Sequence, residues 1–234
     1  MSHLKIYDVN THYGSSHILF DVSLEVNEGE VVCLLGRNGA GKTTTLRTIM
    51  GLTQASSGSV LFDGIEIQKR EPHEIARMGM GYVPDERIIF PDLTVRENLE
   101  VAIKAGSGGF GWTMDKVYDL FPKLAELENN LGGYLSGGEQ QMLTVGRTLM
   151  GNPSLVLLDE PVEGVAPIIV QELGEQIRKL KDMGLTILFS EQNLRFARQI
   201  SDRAYIIEKG RIKFSGTMDE LHENQDVQKR YLMI

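Results

Sequence analysis

Apolar residues follow two patterns along this chain, and each predicts a different kind of β-strand. In residues 4–9 and 20–26 apolar and polar positions alternate, which is typical of antiparallel strands with one buried face. Residues 31–35, 155–158 and 186–189 are instead continuous apolar runs, as expected for parallel strands that are buried on both faces. The chain therefore combines an antiparallel β part with a parallel sheet.

Helical patterns fill the spaces between these strands. Residues 167–183, which Gly184 ends, separate the last two apolar runs, and this strand–helix–strand unit predicts a crossover in a parallel sheet. Three further helices follow one another in the middle of the chain: residues 95–105, 114–125 and 138–150. We therefore predict an α/β fold with a parallel sheet, an antiparallel β subdomain and an inserted α-helical lobe. The predicted bounds are about 1–85 and 152–234 for the core and about 86–151 for the lobe.

The remaining segments carry weaker signals. The end of the chain predicts a hairpin and two short helices, in residues 205–214, 218–221 and 227–232. The glycine-rich residues 106–111 predict a mobile loop at the tip of the lobe. Trp112, beside that loop, is expected to pack against the lobe rather than to dock a partner.

Composition narrows the classes of function. The chain has 234 residues, a net charge of −8 and a pI near 5.2, so it lacks the basic surplus of a nucleic-acid-binding protein. Its only cysteine, Cys33, lies in an apolar run, which indicates core packing. The N-terminus does not resemble a secretory signal, and every apolar run is far shorter than the roughly 20 residues of a membrane span. We expect a cytoplasmic protein without a nucleic-acid partner.

A glycine-rich segment follows the first continuous apolar run and opens a helix at Lys42 that Gly51 ends. Its backbone N–H groups and the helix dipole predict a P-loop that binds ATP. Lys42 supplies charge for the β- and γ-phosphates, and the Thr43 hydroxyl is a ligand for Mg²⁺. The flanking strand and helix argue against a chance glycine-rich turn. The predicted nucleotide-binding residues are Gly36, Arg37, Asn38, Gly39, Ala40, Gly41, Lys42, Thr43 and Thr44.

Two acids, Asp159 and Glu160, directly follow the apolar run 155–158. This is the carboxyl end of a predicted parallel strand, where ligands bind in open α/β sheets. Asp159 is a candidate Mg²⁺ ligand, and Glu160 a candidate catalytic group that accepts a proton from, or orients, an attacking water. The alternative is a helix N-cap with an acidic first turn, which Pro161 partly supports.

Ser136-Gly137-Gly138 is a second segment that combines a hydroxyl with exposed N–H groups at a helix start. Glu139 and Gln140 follow in the first turn, where acids are favoured. Taken alone, this would be an ordinary capping motif. Its role depends on the segments around it.

Residues 135–141, Leu-Ser-Gly-Gly-Glu-Gln-Gln, resemble the signature motif of ATP-binding cassette ATPases, and they stand between segments similar to the Walker A and Walker B motifs of that family. The resemblance covers essentially the whole chain. It implies a domain that dimerises head to tail, with ATP between the Walker A of one subunit and the signature of the other. It also implies that Tyr13 stacks on adenine. The alternative is that Tyr13 is an ordinary tyrosine at the end of a strand. The implied nucleotide contacts of the signature are Ser136, Gly137, Gly138 and Gln140.

Three positions depart from the pattern of that family. Asp85 stands in place of the Q-loop glutamine that contacts Mg²⁺, and a carboxylate can still bind the metal. Gln192 stands in place of the switch histidine, as a catalytic residue that can donate a hydrogen bond to the γ-phosphate but cannot become charged. Residues 163–166, Glu-Gly-Val-Ala, replace the usual D-loop. With Glu-Gln-Asn at 191–193, this set resembles the second ATPase subunit of importers for branched-chain amino acids or related amides and urea.

The resemblance implies an importer ATPase at the inner face of the membrane, which acts with separate permease subunits, a paired ATPase subunit and, indirectly, a solute-binding protein. Residues 88–90, Ile-Ile-Phe, either contact the permease or pack the lobe. Three alternatives stay open: an exporter ATPase, a non-transport cassette acting on a soluble complex, and a small-molecule kinase. Neighbouring genes for a binding protein and two permeases would favour import, and transfer of phosphate to an organic acceptor would favour the kinase.

Overall fold

A computed structural model describes residues 2–103 and 110–232 of the chain. The strands in this part are β1 Ser2–Tyr13, β2 Ser16–Asn27, β3 Val31–Leu35, β4 Ala55–Phe62, β5 Ile65–Glu66, β6 Met80–Val83, β7 Leu155–Asp159, β8 Thr186–Glu191, β9 Arg203–Glu208 and β10 Arg211–Thr217. The helices are α1 Lys42–Ile49, α2 Pro72–Arg77, α3 Val95–Glu100, α4 Met114–Leu120, α5 Pro122–Glu126, α6 Gly137–Met150, α7 Pro167–Asp182, α8 Leu194–Ile200, α9 Met218–Glu223 and α10 Gln225–Tyr231, with a 3₁₀ turn at Gly132–Tyr134.

A six-stranded sheet lies at the centre of the fold, in the order β10-β9-β3-β8-β7-β6. Its strands are parallel except for β10, which pairs antiparallel with β9 in the predicted hairpin. The three continuous apolar runs are β3, β7 and β8, and every residue of these strands is buried. β7, α7 and β8 form the predicted crossover.

The two faces of β3 contact different hydrophobic cores, which explains its unbroken apolar run. Val31, Cys33 and Leu35 pack with α3 to α8, whereas Val32 and Leu34 pack with α1 and the antiparallel sheet. The prediction that Cys33 is a core residue is confirmed, and its burial raises the pKa of the thiol well above the ordinary value.

The antiparallel sheet has the order β2-β1-β4-β5. The two predicted strands are confirmed and are longer than their alternating segments, since each spans 12 residues. β4 was not predicted, because its first half, residues 55–59, is mostly polar and becomes a strand by pairing with β1. The last buried residues of β4, Val60 and Phe62, join the core shared with β1 and β2.

The middle of the chain is helical, but two of the three predicted helices have different bounds. The helix predicted for residues 95–105 ends at Glu100. The next apolar side chains, Val101 and Ile103, are more than half exposed, so continuing the helix would bury no further apolar surface. Residues 104–105 of that prediction lie outside the described residues, as does most of the loop predicted at 106–111. Trp112 is buried, as predicted, and the core and lobe bounds themselves stay a prediction.

The helix predicted for residues 114–125 is divided into α4 and α5. Phe121 leaves the helical region, with φ −124° and ψ 75°, because Pro122 disfavours the helical conformation in the residue before it. Pro122 then becomes the first residue of α5. In the described part of the chain, helices are either too short or too polar to cross a membrane.

The hairpin turn at Gly210 joins the two sheets next to the glycine-rich segment. The N–H of Gly210 donates to the carbonyl of Ala40, and the carbonyl of Gly210 accepts from the N–H of Phe20, both at 2.8 Å. Gly210 has φ +72°, and a Cβ there would lie 1.8 Å from the carbonyl oxygen of Ile18. Only glycine fits at this junction.

We predict that Gly210→Ala lowers the free energy of unfolding much more than Gly64→Ala does. Gly64 has a similar φ, +74°, so both variants pay the left-handed cost of about 1–2 kcal/mol. A Cβ at Gly64 meets nothing within 4 Å, however, whereas at Gly210 it meets backbone. Urea unfolding of the two variants measures the difference, and equal losses would contradict the close approach at Gly210.

Candidate functional site

The glycine-rich segment forms a loop between the end of β3 and the start of α1. Gly39 and Gly41 have φ +76° and +111°, which favour glycine, and a Cβ on Gly36 would lie 2.6 Å from the carbonyl oxygen of Ile207. No side chain caps α1 at Gly41, so amide groups of its first turn stay available for an anion. The local structure is that of the predicted P-loop.

Lys42 lies inside this loop, with its side chain almost fully buried. Its Nζ donates to the carbonyl oxygens of Gly36 at 2.8 Å and Arg37 at 3.1 Å. It also forms an ion pair with Oε1 of Glu160 at 3.0 Å, while the buried Oε2 of Glu160 accepts no hydrogen bond from the described residues. The structure thus brings together two residues that the sequence separates by more than a hundred positions.

Asp159, at the end of β7, is the most tightly held acid of the site. Its Oδ1 accepts from the hydroxyls of Ser190 at 2.6 Å and Thr43 at 3.2 Å, and its Oδ2 accepts from Tyr82 at 3.2 Å. Burial raises the pKa of Asp159, and these hydrogen bonds oppose that shift. Thr43 and Asp159, two of the three predicted metal ligands, therefore share one location.

Ser190 and Tyr82 were missed by the sequence reasoning. Ser190 stands at the carboxyl end of β8, in register with Asp159 on the neighbouring strand, so the topological argument that identified Asp159 applies to it as well. Tyr82 lies on β6, a strand that was not predicted. Its assignment needed the pairing of β6 with β7.

Glu160 occupies a turn and does not cap a helix. Its backbone adopts φ +42°, its N–H donates to the hydroxyl of Ser190 at 3.0 Å, and the next helix, α7, begins only at Pro167. The alternative interpretation of these acids as an N-cap and first turn is therefore wrong. The left-handed backbone at a non-glycine residue is a conformation found at functional sites.

Glu163 closes the turn that Glu160 opens, by donating its N–H to the carbonyl of Glu160 at 3.1 Å. Its carboxyl lies against that of Glu160, and sharing a proton with this neighbour is the largest cause that raises the pKa of Glu163 to about 7. Repulsion from Glu160 and Asp85 acts in the same direction, and Lys42 opposes it. Glu163, the first residue of the altered D-loop, thus places its carboxyl beside that of Glu160, the candidate catalytic residue.

The other two departures also face the site. Asp85 is exposed and close enough to raise the pKa values of both Asp159 and Glu163. Gln192 lines a cavity of about 320 Å³ together with residues 36–38 and Leu232. The buried carboxylate of Glu191 accepts the N–H groups of Gln192 and Asn193, each at 2.8 Å, and so fixes the backbone there.

Tyr13 lies beside the P-loop, and its stacking on adenine stays a prediction. It lines a cavity of about 270 Å³ that it shares with Lys42 and Glu160, and its hydroxyl is 3.3 Å from that of Thr53. Thr43 and Thr44 line the same cavity. The aromatic ring is half exposed, which leaves a face for a ligand.

The second glycine-rich segment opens α6 with a complete capping box between Ser136 and Glu139. Gly138 packs on Ile169 of α7, since a Cβ there would lie 2.8 Å from Cγ1 of that side chain, and Gly137 packs on Arg87. In the described residues, no hydrogen bond or ion pair joins segment 136–141 to the P-loop. One chain therefore does not bring the two anion-binding segments together.

A profile of the ABC transporter family matches residues 19–163, which include the P-loop, residues 135–141 and the two acids. The chain belongs to this family. It is an ATPase whose ATP hydrolysis is coupled to transport.

Three curated relatives align with nearly the whole chain. It is 45% identical to the high-affinity branched-chain amino acid transport ATP-binding protein BraG of Pseudomonas aeruginosa, over 96% of this chain and 97% of BraG. It is 36% identical to the probable branched-chain amino acid transport ATP-binding protein LivF of Archaeoglobus fulgidus, over 97% of each. It is also 37% identical to the lipopolysaccharide export system ATP-binding protein LptB of Haemophilus influenzae, over 99% and 98%.

A solved structure shows the same fold over the whole chain. The ADP conformation of an ATP-binding cassette of an ABC transporter superimposes with a TM-score of 0.84 at 28% identity, covering 100% of this chain and 98% of the other. The predicted α/β fold is confirmed by this similarity.

We predict that Glu163→Gln stabilises the protein more at pH 8 than at pH 5. In the unfolded chain the carboxyl has a pKa near 4.5, whereas in the folded protein it is about 7, so the folded state binds more protons between these values and loses stability as the pH rises through them. A glutamine keeps no charge to repel Glu160. Thermal melts at both pH values measure the gain over wild type.

Glu175→Gln, at an exposed position on α7, is the matched control and should show no such pH-dependent gain. A gain for Glu163→Gln that is the same at pH 5 and pH 8 would rule out the proton shared with Glu160.

Proposed function

We propose that this chain is the ATP-hydrolysing subunit of an importer for branched-chain amino acids or for related amides or urea. The observation that carries the import assignment is the 45% identity to BraG over nearly the full length of both chains. The Glu-Gln-Asn sequence at 191–193 and the altered residues 163–166 support the same subfamily. The chain then acts at the inner face of the membrane, with its permease on separate polypeptides.

The residues of the P-loop fit a nucleoside triphosphate. The glycines keep side chains out of the loop, the amide groups of α1 stay uncapped, and the buried Lys42 supplies a positive charge. Tyr13 offers a ring face at the mouth of the same cavity, where adenine would stack. Gly36 to Thr44 would hold the phosphates.

The oxygen atoms of Thr43 and Asp159 fit Mg²⁺, a hard cation that prefers hydroxyl, carboxylate and water oxygens. Asp85 adds a carboxylate on the exposed side. When bound, the metal would neutralise charge on the β- and γ-phosphates. Ser190 and Tyr82 orient Asp159 for this role through its two oxygens.

Glu160 is the proposed catalytic base of hydrolysis. Apart from the neighbouring carboxyl of Glu163, its buried Oε2 meets no hydrogen-bond partner in the described residues, so it can accept a proton from water or orient it. Lys42 pairs with the other oxygen, Oε1, at 3.0 Å. Gln192, which lines a cavity with residues 36–38, would donate its amide to the γ-phosphate.

Completing the site requires a second ATPase subunit. Residues 136–140 form the capped start of α6, and in the described residues no hydrogen bond or ion pair joins them to the P-loop of the same chain. A head-to-tail pair places the Ser136 segment of one subunit on the nucleotide held by the other. The solute-binding protein would act through the permease.

The proposed permease contact is an exposed apolar rim, which we define as Ile88, Phe90 and Tyr134. Phe90 is 48% and Tyr134 83% exposed, and Gly132 packs against the carbonyl of Phe90, which holds the two segments together. The middle residue of the predicted cluster, Ile89, packs on the core instead. Ile89 thus packs the lobe, and within residues 88–90 the permease contact is proposed for Ile88 and Phe90 alone.

We expect Glu160→Gln to bind ATP as wild type does, to hydrolyse it at least 100-fold more slowly, and to accumulate as a dimer in the presence of ATP, because a general base contributes about 10²–10⁴-fold to rate. Phosphate release and size-exclusion chromatography of the purified variant measure both effects. Glu175→Gln is the control, and wild-type hydrolysis by Glu160→Gln would remove this residue from its proposed role.

Phe90→Asp should keep nucleotide affinity and lose the permease, because a charge replaces the centre of the apolar rim. Co-purification with the permease subunits and uptake of labelled leucine or urea by cells measure the loss. Ile65→Asp, at an equally exposed residue of the antiparallel sheet, is the matched control.

A complex that survives Phe90→Asp would place the permease elsewhere. If uptake of both solutes is instead independent of this chain, and solute accumulates inside cells that lack it, that outcome would favour export, the role of the system to which LptB belongs.

A further inference from the structure

Arg87 has an unusual backbone on the loop that follows β6. Its φ is +50°, in the left-handed region that a long side chain rarely occupies. Such a conformation persists only where the surroundings fix it. The contacts of Arg87 are therefore informative.

The guanidinium of Arg87 contacts two other segments at once. Its Nη2 donates a hydrogen bond to the backbone carbonyl of Glu163. A Cβ on Gly137 would lie 2.7 Å from its Nη1, and one on Gly164 would lie 3.5 Å from its Nη2. Among residues 2–103 and 110–232 no ion pair includes Arg87, so it acts on backbone and not on the Glu163 carboxylate.

The carbonyl that Arg87 holds belongs to the residue that closes the catalytic turn. Glu163 donates its N–H to the carbonyl of Glu160, which defines the turn, and the carboxyls of the two residues lie against each other. A shift of Glu163 would therefore move Glu160. Arg87 is the side chain that ties this turn to the loop at Asp85.

We propose that Arg87 is a positioning residue for ATP hydrolysis, which sets the place of the Glu160 carboxylate by hydrogen bonding to the carbonyl of Glu163. The proposal rests on the role of Glu160 proposed above. Arg87 itself touches neither the P-loop lysine nor the Asp159 cluster in the described contacts.

Two substitutions separate the guanidinium from the backbone conformation. Arg87→Asn removes the guanidinium and keeps a residue that tolerates a positive φ. Arg87→Lys keeps the positive charge but has a single donor nitrogen in place of the planar guanidinium. Steady-state ATP hydrolysis by the purified variants should show kcat reduced about tenfold to 100-fold for asparagine, the cost of a roughly 1 Å misplacement, with KM for ATP unchanged, and a smaller loss for lysine.

Arg96→Asn is the matched control, since Arg96 is an exposed arginine paired with Glu128 on the lobe, and its kcat should stay that of wild type. If Arg87→Asn does not fold, as judged by its thermal melt, Arg87→Lys decides by the same criterion. Reduced kcat at unchanged KM supports the proposal, and wild-type kcat overturns it.

The double variant Arg87→Asn/Glu160→Gln separates the positioning role of Arg87 from the proposed role of Glu160 as the catalytic base. If Arg87 acts through Glu160, the double variant hydrolyses ATP no more slowly than Glu160→Gln alone. A further loss in the double variant overturns the positioning role. If Glu160→Gln alone keeps the wild-type rate, the proposal that Glu160 is the catalytic base is contradicted, independently of the result for the Arg87 variants.

Discussion

The buried ion pair between Lys42 and Glu160 is the interaction on which the site depends. A lysine that is removed from water needs a matching charge and hydrogen-bond acceptors, and Lys42 finds them in Glu160 and the carbonyls of Gly36 and Arg37. Losing one partner of such a pair costs about 3–5 kcal/mol. The pair thus requires the loop after β3 and the turn after β7 to meet at one edge of the sheet.

Around this pair, acids outnumber bases. Asp85 is close enough to raise the pKa values of both Asp159 and Glu163, and Lys42 lowers that of Glu163. The pKa of Asp159 rises mainly through burial, and that of Glu163 rises mainly through the neighbouring Glu160. The Asp159 carboxylate and the Thr43 hydroxyl, 3.2 Å apart, suit the proposed divalent cation, which would reduce the repulsion among the acids.

Much of the fold followed from local patterns because the pattern and the environment agree. β3, β7 and β8 are buried on both faces, and each contains a continuous apolar run, so their sequences indicate a parallel sheet. β4 and β6 were missed because a polar half-strand or a four-residue strand gains its stability from pairing with neighbours. The predicted end of α3 was wrong for a similar reason. Whether its last apolar residues are buried depends on neighbouring elements, and Val101 and Ile103 are exposed.

The sequence by itself determined which residues can do chemistry. The glycines of the P-loop, Lys42 and the two acids after β7 are local requirements of backbone conformation and residue type, and a single chain displays them. Only the tertiary structure decided which groups meet: Ser190 and Tyr82 on Asp159, Glu163 on Glu160, and Arg87 on the turn. Those contacts join residues from different strands and loops, and their distances depend on sheet order and register, which no local pattern contains.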